Sequence, residues 1–241
     1  MKTEPTLFLS RIPALLCHTQ ALKSSVRKGT VLFYHGLGAS KEVHLAEIER
    51  LASAGFLVIA VDAVGHGQRR DPELERLTAA GSPVRAESFL RVVQESAMEL
   101  PLLLDDLHVR GWIYRGRIGI SGISMGGYIC FLGITLEPRL KVAVSILGSP
   151  EWKAPSAMSP HNRLERFSDI RLLSQNAGRD ELVSSAAVKR FHSRLRETYA
   201  DYGDRFEYIE YPLSRHFMAE QDWRLCIERS AAWFDLHMSR N

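Results

Sequence analysis

"RIGISGISMGGYICFLGITL", Arg117 to Leu136, sets Ser124 between Gly122 and Gly126, with a β-rich apolar run before it and an apolar run of helical length after it. A lone G-x-S-x-G match turns up by chance in roughly one of ten chains of this length, so its flanks must decide what it means. They predict a strand over RIGIS and a helix over SMGGYICFLGITL that is stopped by Pro138, with the serine on the turn between them. A turn that sharp strains the serine backbone and brings strand and helix so close that side chains at 122 and 126 would collide. The amino terminus of such a helix also directs N–H groups and positive potential towards the serine.

The same strand-then-helix alternation extends outward in both directions. Candidate strands are VLFY (31–34), FLVIAV (56–61), RIGIS (117–121), KVAVSIL (141–147), RLLSQNA (171–177) and FEYIEY (206–211). Most are apolar on both faces, as strands covered by helices on both sides must be. Helical spacing runs from Glu42 to Ala54, Glu87 to Val109, Ser124 to Leu136, Ser184 to Tyr199 and Asp222 to His237, and Pro101 predicts a kink or two helices in the second of these. The expected fold class is α/β: a mostly parallel twisted sheet with helices on both faces, in a single domain over residues 1–241. One or two antiparallel strands are expected before Lys28, although Pro13 argues against a regular interior strand there. Residues 65–85 and 148–168 form the polar connections that would overhang the carboxyl edge of the sheet and wall a ligand site, and the segment after KVAVSIL, about residues 148–170, leaves room for only a small lid or none.

Composition narrows the class of function. The chain has 241 residues, 45% hydrophobic and 24% charged, with a formal net charge of only +3, so no strong field is available to hold nucleic acid or an anionic membrane. Cys17, Cys130 and Cys226 are too few and too scattered for a disulfide framework or a metal site, which fits a reducing cytoplasm. Glu4, Pro5 and Arg11 interrupt what a secretory leader would need as an apolar core, and no run approaches the roughly 20 apolar residues of a membrane span.

Taken with the serine turn, "VLFYHGLG" (31–38) and "GFLVIAVDAVGHGQR" (55–69) make the chain resemble the α/β-hydrolase superfamily. The likeness is to small bacterial carboxylesterases related to dienelactone hydrolase and to the catalytic domain of prolyl oligopeptidases, and it covers about residues 30–237. It implies the α/β-hydrolase fold and a nucleophilic Ser124. The chain order Ser, acid, His points to Asp180, just past RLLSQNA, and to His216, just past FEYIEY. Glu151, after KVAVSIL, is the rival acid. The likeness further implies an oxyanion hole made by the N–H groups of Leu37 and Met125, with no cofactor and no metal. Arg215 departs from the family, many members of which carry glycine before the histidine, and suggests a different loop path. His35 and His66 belong to the HG loop and the D-x-x-G-H-G turn and are expected to brace them, whereas His108, His192 and His237 read as surface or core. Trp152 and Met158 are expected to contact substrate. The implied activity is cleavage of small-molecule esters with short to medium acyl chains, with peptide, amide or thioester cleavage as the alternatives in catalysis and a non-catalytic binding protein as the competing class. Serine in place of cysteine at 124 argues against dienelactones.

Overall fold

In the computed structural model, which describes residues 1–114, 116–152 and 156–238, eight strands form one sheet in the order β1-β2-β4-β3-β5-β6-β7-β8. The strands are β1 (Lys2–Phe8), β2 (Ile12–His18), β3 (Thr30–Tyr34), β4 (Leu57–Val61), β5 (Ile118–Ile123), β6 (Val142–Ile146), β7 (Arg171–Ala177) and β8 (Phe206–Tyr211). From β4 through β3 to β8 every pairing is parallel, while β1 and β2 form an antiparallel hairpin and β2 pairs antiparallel to β4. All six strands expected from the apolar runs are present, with ends shifted by no more than two residues.

The parallel strands bury both faces, and their period of two sorts the side chains into two layers. In β3, Leu32 and Tyr34 face one layer while Val31 and Phe33 face the other. The first layer is built with α4 (Arg85–Met98), α5 (Leu100–Val109), α6 (Met125–Leu136) and α7 (Ser185–Thr198); the second is built with α2 (Leu45–Ser53) and α9 (Glu220–Met238). Pro101 falls in the first turn of α5, where its missing N–H is harmless, so the long helical stretch splits into two helices at Glu99. Three short helices, α1 (Leu22–Lys28), α3 (Pro72–Thr78) and α8 (Tyr202–Arg205), were not anticipated. Of these, α3 has a clear local signal, since Asp71 caps the N–H groups of Glu73 and Leu74 ahead of Pro72.

Pro13 sits inside β2 without breaking the sheet. It pairs with Leu7 of β1, lies one residue beyond the β2–β4 ladder, and uses its carbonyl to accept the Asp62 N–H at 3.0 Å. A proline is tolerated there because no partner requires its missing donor. Among the described residues no helix is long and apolar enough to cross a membrane.

Candidate active site

Ser124 occupies the turn between β5 and α6 with φ 55° and ψ −112°, a left-handed backbone that a non-glycine residue adopts only under constraint. The Ser124 N–H donates to Ile146 O at 2.8 Å, and its carbonyl accepts the Tyr128 N–H at 3.1 Å, fixing the turn from both sides. The flanking glycines are required by close approach: a Cβ on Gly122 would lie 2.4 Å from the Gly126 carbonyl carbon, and one on Gly126 would lie 2.1 Å from Tyr34 O.

Ser124 Oγ lies 3.0 Å from His216 Nε2, and His216 Nδ1 lies 2.8 Å from Asp180 Oδ2. The other Asp180 oxygen accepts the N–H groups of Leu182 and Val183 at 2.8 and 2.9 Å. Burial pushes the Asp180 carboxyl up, but the bonds from His216, Val183 and Leu182 outweigh it and hold the group below its ordinary value. The three side chains thus come together although they lie up to 92 positions apart in the chain.

Adjacent strand ends explain the convergence of the acid and the imidazole. The loops after β7 and β8 run against each other, with Gly178 N–H bonded to Tyr211 O and Arg179 N–H to Ser214 O at 2.8 and 2.9 Å. A Cβ at Gly178 would lie 2.8 Å from Pro212 backbone atoms. Ser214 Oγ in turn donates to Asp222 Oδ2 at 2.6 Å, anchoring the histidine loop to the start of α9. Arg215 points to solvent and leaves His216 in reach of Asp180. The rival acid Glu151 instead binds the Arg190 guanidinium at 2.7 Å.

Leu37 follows β3 and lines the cavity over Ser124, while Met125 is the first residue of α6. Among the described residues neither backbone N–H has a hydrogen-bond acceptor. The Leu37 loop is held from beneath. His35 Nδ1 lies 2.8 Å from Gly36 O, and its Nε2 accepts the Ala63 N–H at 3.1 Å, so the ring is neutral with its proton on Nδ1. Burial moves this imidazole down to about 4. His66 bonds Val64 O and packs against His35 with ring centroids 5.4 Å apart. Asp62, fully buried, accepts the Lys41 backbone N–H, the Lys41 ammonium and the Gln68 N–H at 3.0, 2.7 and 2.9 Å. Both motifs quoted from the sequence therefore serve one loop junction, but Lys41 had no local signal and its buried charge emerges only in three dimensions.

Around Ser124 and His216 opens a cavity of about 990 Å³. Its walls include Trp152, while Met158 packs against the core; residues 153–155, in the same connection after β6, lie outside the described residues. Ser82, Pro83, Arg85 and Ala86 contribute from the 65–85 connection and the start of α4, together with Phe89 and Tyr128, which meet edge to face at 5.1 Å. Burial and the nearby Asp180 charge push the Tyr128 hydroxyl up to about 12. The unanticipated wall is the segment from Gly36 to His44 with Phe217, Met218 and Trp223 facing it. Its position directly after a strand end was the available signal. Among the described residues no three His, Cys, Asp or Glu side chains gather to hold a metal ion.

Known proteins resemble the chain in sequence and in fold. The chain is 28% identical over 198 residues to esterase YjfP of Escherichia coli (strain K12), covering 71% of this chain and 76% of that one. Its fold is similar to that of TT1662 from Thermus thermophilus, with a TM-score of 0.82 at 22% identity over 100% of both chains. It is also similar to a cold-adapted esterase from an Arctic intertidal metagenomic library, with a TM-score of 0.69 at 18% identity over 98% of this chain and 92% of that one. The family model described as serine aminopeptidase, S33, matches residues 25–169, more than half of the sequence. The chain belongs to this family of hydrolases and has the α/β-hydrolase fold.

Proposed function

We propose that the protein is a serine esterase that cleaves carboxylic esters of short to medium acyl chain through an acyl-enzyme, with Ser124 as nucleophile, His216 as base and Asp180 as its orienting acid. The observation that carries the reading is the unbroken relay from Asp180 through His216 to Ser124 Oγ at 2.8 and 3.0 Å, opening into a cavity large enough for a small ester.

In the first step the Ser124 oxygen attacks the ester carbonyl carbon while its proton passes to His216 Nε2. Asp180 stabilises the resulting imidazolium from the Nδ1 side and keeps its own charge, consistent with its lowered pKa. The oxyanion settles between the Leu37 and Met125 N–H groups, where the helix end adds positive potential. His216 then returns the proton to the departing alcohol oxygen as the ester C–O bond breaks. Water repeats the sequence on the acyl-enzyme, giving the free acid and restoring Ser124.

Esterase YjfP supports an ester substrate, whereas the description of the family model raises cleavage of an amino-terminal peptide bond as a second reading. An aminopeptidase must hold a substrate ammonium. Among the described residues lining the cavity, Glu181 is the one carboxylate, and it is exposed to solvent. Esters are therefore favoured over peptides.

The test is Ser124→Ala assayed on 4-nitrophenyl esters and on aminoacyl nitroanilides, alongside labelling with a fluorophosphonate. The parent should take the label at Ser124 and turn over the esters well ahead of the anilides. The variant should fold normally, lose the label and fall to a residual rate roughly 10³ to 10⁴ above water. Near-parental turnover by the variant would remove Ser124 as the nucleophile.

A further inference from the structure

His44 and Glu47 form a second histidine–carboxylate pair beside the cavity, and the reaction proposed above does not use it. His44 ends the loop that carries Leu37 and lines the same cavity as Ser124 and His216, while Glu47 lies in the first turn of α2. His44 Nδ1 is 3.7 Å from Glu47 Oε2, longer than a hydrogen bond but within reach of the carboxylate's charge. The other Glu47 oxygen accepts the Trp223 indole N–H from α9 at 2.7 Å. The two side chains are only 17% and 13% exposed. Phe33 and Trp223 flank the imidazole, with ring centroids 6.0 and 6.4 Å away, so its orientation is held.

The tautomer follows from these contacts. Burial raises the Glu47 carboxyl, but His44 and the Trp223 N–H outweigh that and keep it below its ordinary value, so it is an anion at neutral pH. In the neutral ring a carboxylate beside Nδ1 favours the proton on that nitrogen and leaves Nε2 an acceptor. Among the described residues Nε2 has no hydrogen-bond partner. Val43, Met218 and Trp223 line the same cavity. A merely structural part does not account for the ring, because the Glu47–Trp223 bond already joins α2 to α9 and an apolar side chain would fill the wall as well. A substrate that fills the cavity without offering a donor would cut this nitrogen off from water with nothing in exchange, which is costly.

We propose that His44 Nε2 accepts a hydrogen bond from the substrate, so that the preferred esters carry an O–H or amide N–H remote from the scissile carbonyl. The inference rests on the esterase reading and narrows its substrate class. A polar site of this kind discriminates strongly, because an analogue lacking the donor leaves the acceptor unpaired.

The experiment compares kcat/KM for esters matched in length, with and without a hydroxyl: 4-nitrophenyl butanoate against 4-nitrophenyl 3-hydroxybutanoate for the acyl side, and pentyl butanoate against 5-hydroxypentyl butanoate for the alcohol side. The parent should favour the hydroxyl ester by about tenfold or more in at least one pair. His44→Phe should bring that ratio close to one, and His44→Gln, whose amide oxygen can still accept, should keep part of it. The ratio is an internal control, since a general loss of active-site order would lower both members of a pair together. Equal rates for both pairs in the parent, or a preference that survives His44→Phe, would overturn the assignment. So would a preference for 4-nitrophenyl hemisuccinate over the hydroxyl ester, because an anion has no favourable contact with a bare nitrogen lone pair. Failure of the esterase reading is distinguishable: the plain esters would not be hydrolysed and the fluorophosphonate would not label Ser124.

Discussion

Gly122 and Gly126, on either side of Ser124, are opposed by backbone, whereas Gly133 further along α6 is opposed by side chains. A methyl at 126 would meet Tyr34 O at 2.1 Å, whereas a methyl at Gly133, two turns along the helix, would meet Leu100 Cδ1 at 2.6 Å. Leu100 Cδ1 is the end of a rotatable side chain, but the Tyr34 carbonyl belongs to a central strand and cannot turn aside without breaking sheet geometry. Gly133→Ala should therefore cost an ordinary overpacking penalty of about 1 to 3 kcal/mol and leave ester turnover largely in place. Gly126→Ala must lift the first turn of α6 away from β3, displacing both Ser124 Oγ and the Met125 N–H. Turnover should fall by at least 100-fold, because the oxyanion donor and nucleophile move together. Urea unfolding and nitrophenyl-ester kinetics on the two variants separate the cases, and equal activities would show that the close approach does not position the serine.

Loops tied to one another, more than any one loop, decide the shape of the site. Asp62 at the end of β4 binds Lys41 and Gln68, and through Lys41 it holds the segment that presents Leu37. Lys41→Met would leave the Asp62 charge buried without its counterion, at a cost of about 3 to 5 kcal/mol. On the proposed mechanism the Leu37 N–H acts mainly when the oxyanion forms, so kcat should drop further than KM rises. Chemical denaturation and steady-state kinetics would show this, and an unchanged unfolding midpoint would refute a structural part for the pair. The same linkage explains what the sequence could reveal. The positions of Ser124, Asp180 and His216 were legible because each follows a strand of the parallel run, and parallel strands deliver their carboxyl ends to one edge. The D-x-x-G-H-G turn was legible as a motif, and the structure supplies its reason, since a Cβ at Gly67 would lie 2.1 Å from Asp62 Oδ1. Lys41, Glu47 and Trp223 were not legible. A lysine in the loop before a helix and a glutamate in its first turn ordinarily read as solvated surface; here Asp62 buries the first, and the Trp223 indole from α9 bonds the second.

Acid sensitivity draws on both ends of the fold, because two buried imidazoles are neutral in the folded state. Burial brings His35 down to about 4 and His192 to about 3. His192, on α7, bonds Ser174 Oγ through Nε2 and Tyr202 OH through Nδ1 at 2.9 and 2.8 Å, far from solvent. In the unfolded chain both rings would titrate near 6.5. Between that value and the folded values the unfolded state binds more protons, so stability rises with pH and is lost as pH falls below about 6.5. The loss continues towards pH 4 for His35 and towards pH 3 for His192, at up to about 1.4 kcal/mol per pH unit for each ring. Asp180 acts in a different window: its lowered carboxyl adds stability above its unfolded value near 3.9, and this is lost only as pH falls through the still lower folded value. Urea unfolding at pH 7, 6, 5 and 4.5 should thus show a steady decline that carboxylate protonation does not explain. His192→Gln keeps hydrogen-bonding capacity without a titrating ring, so it should be less stable at pH 7 yet decline less steeply towards pH 4.5. If the variant and the parent lose stability in parallel over that range, the proton taken up on unfolding does not belong to His192.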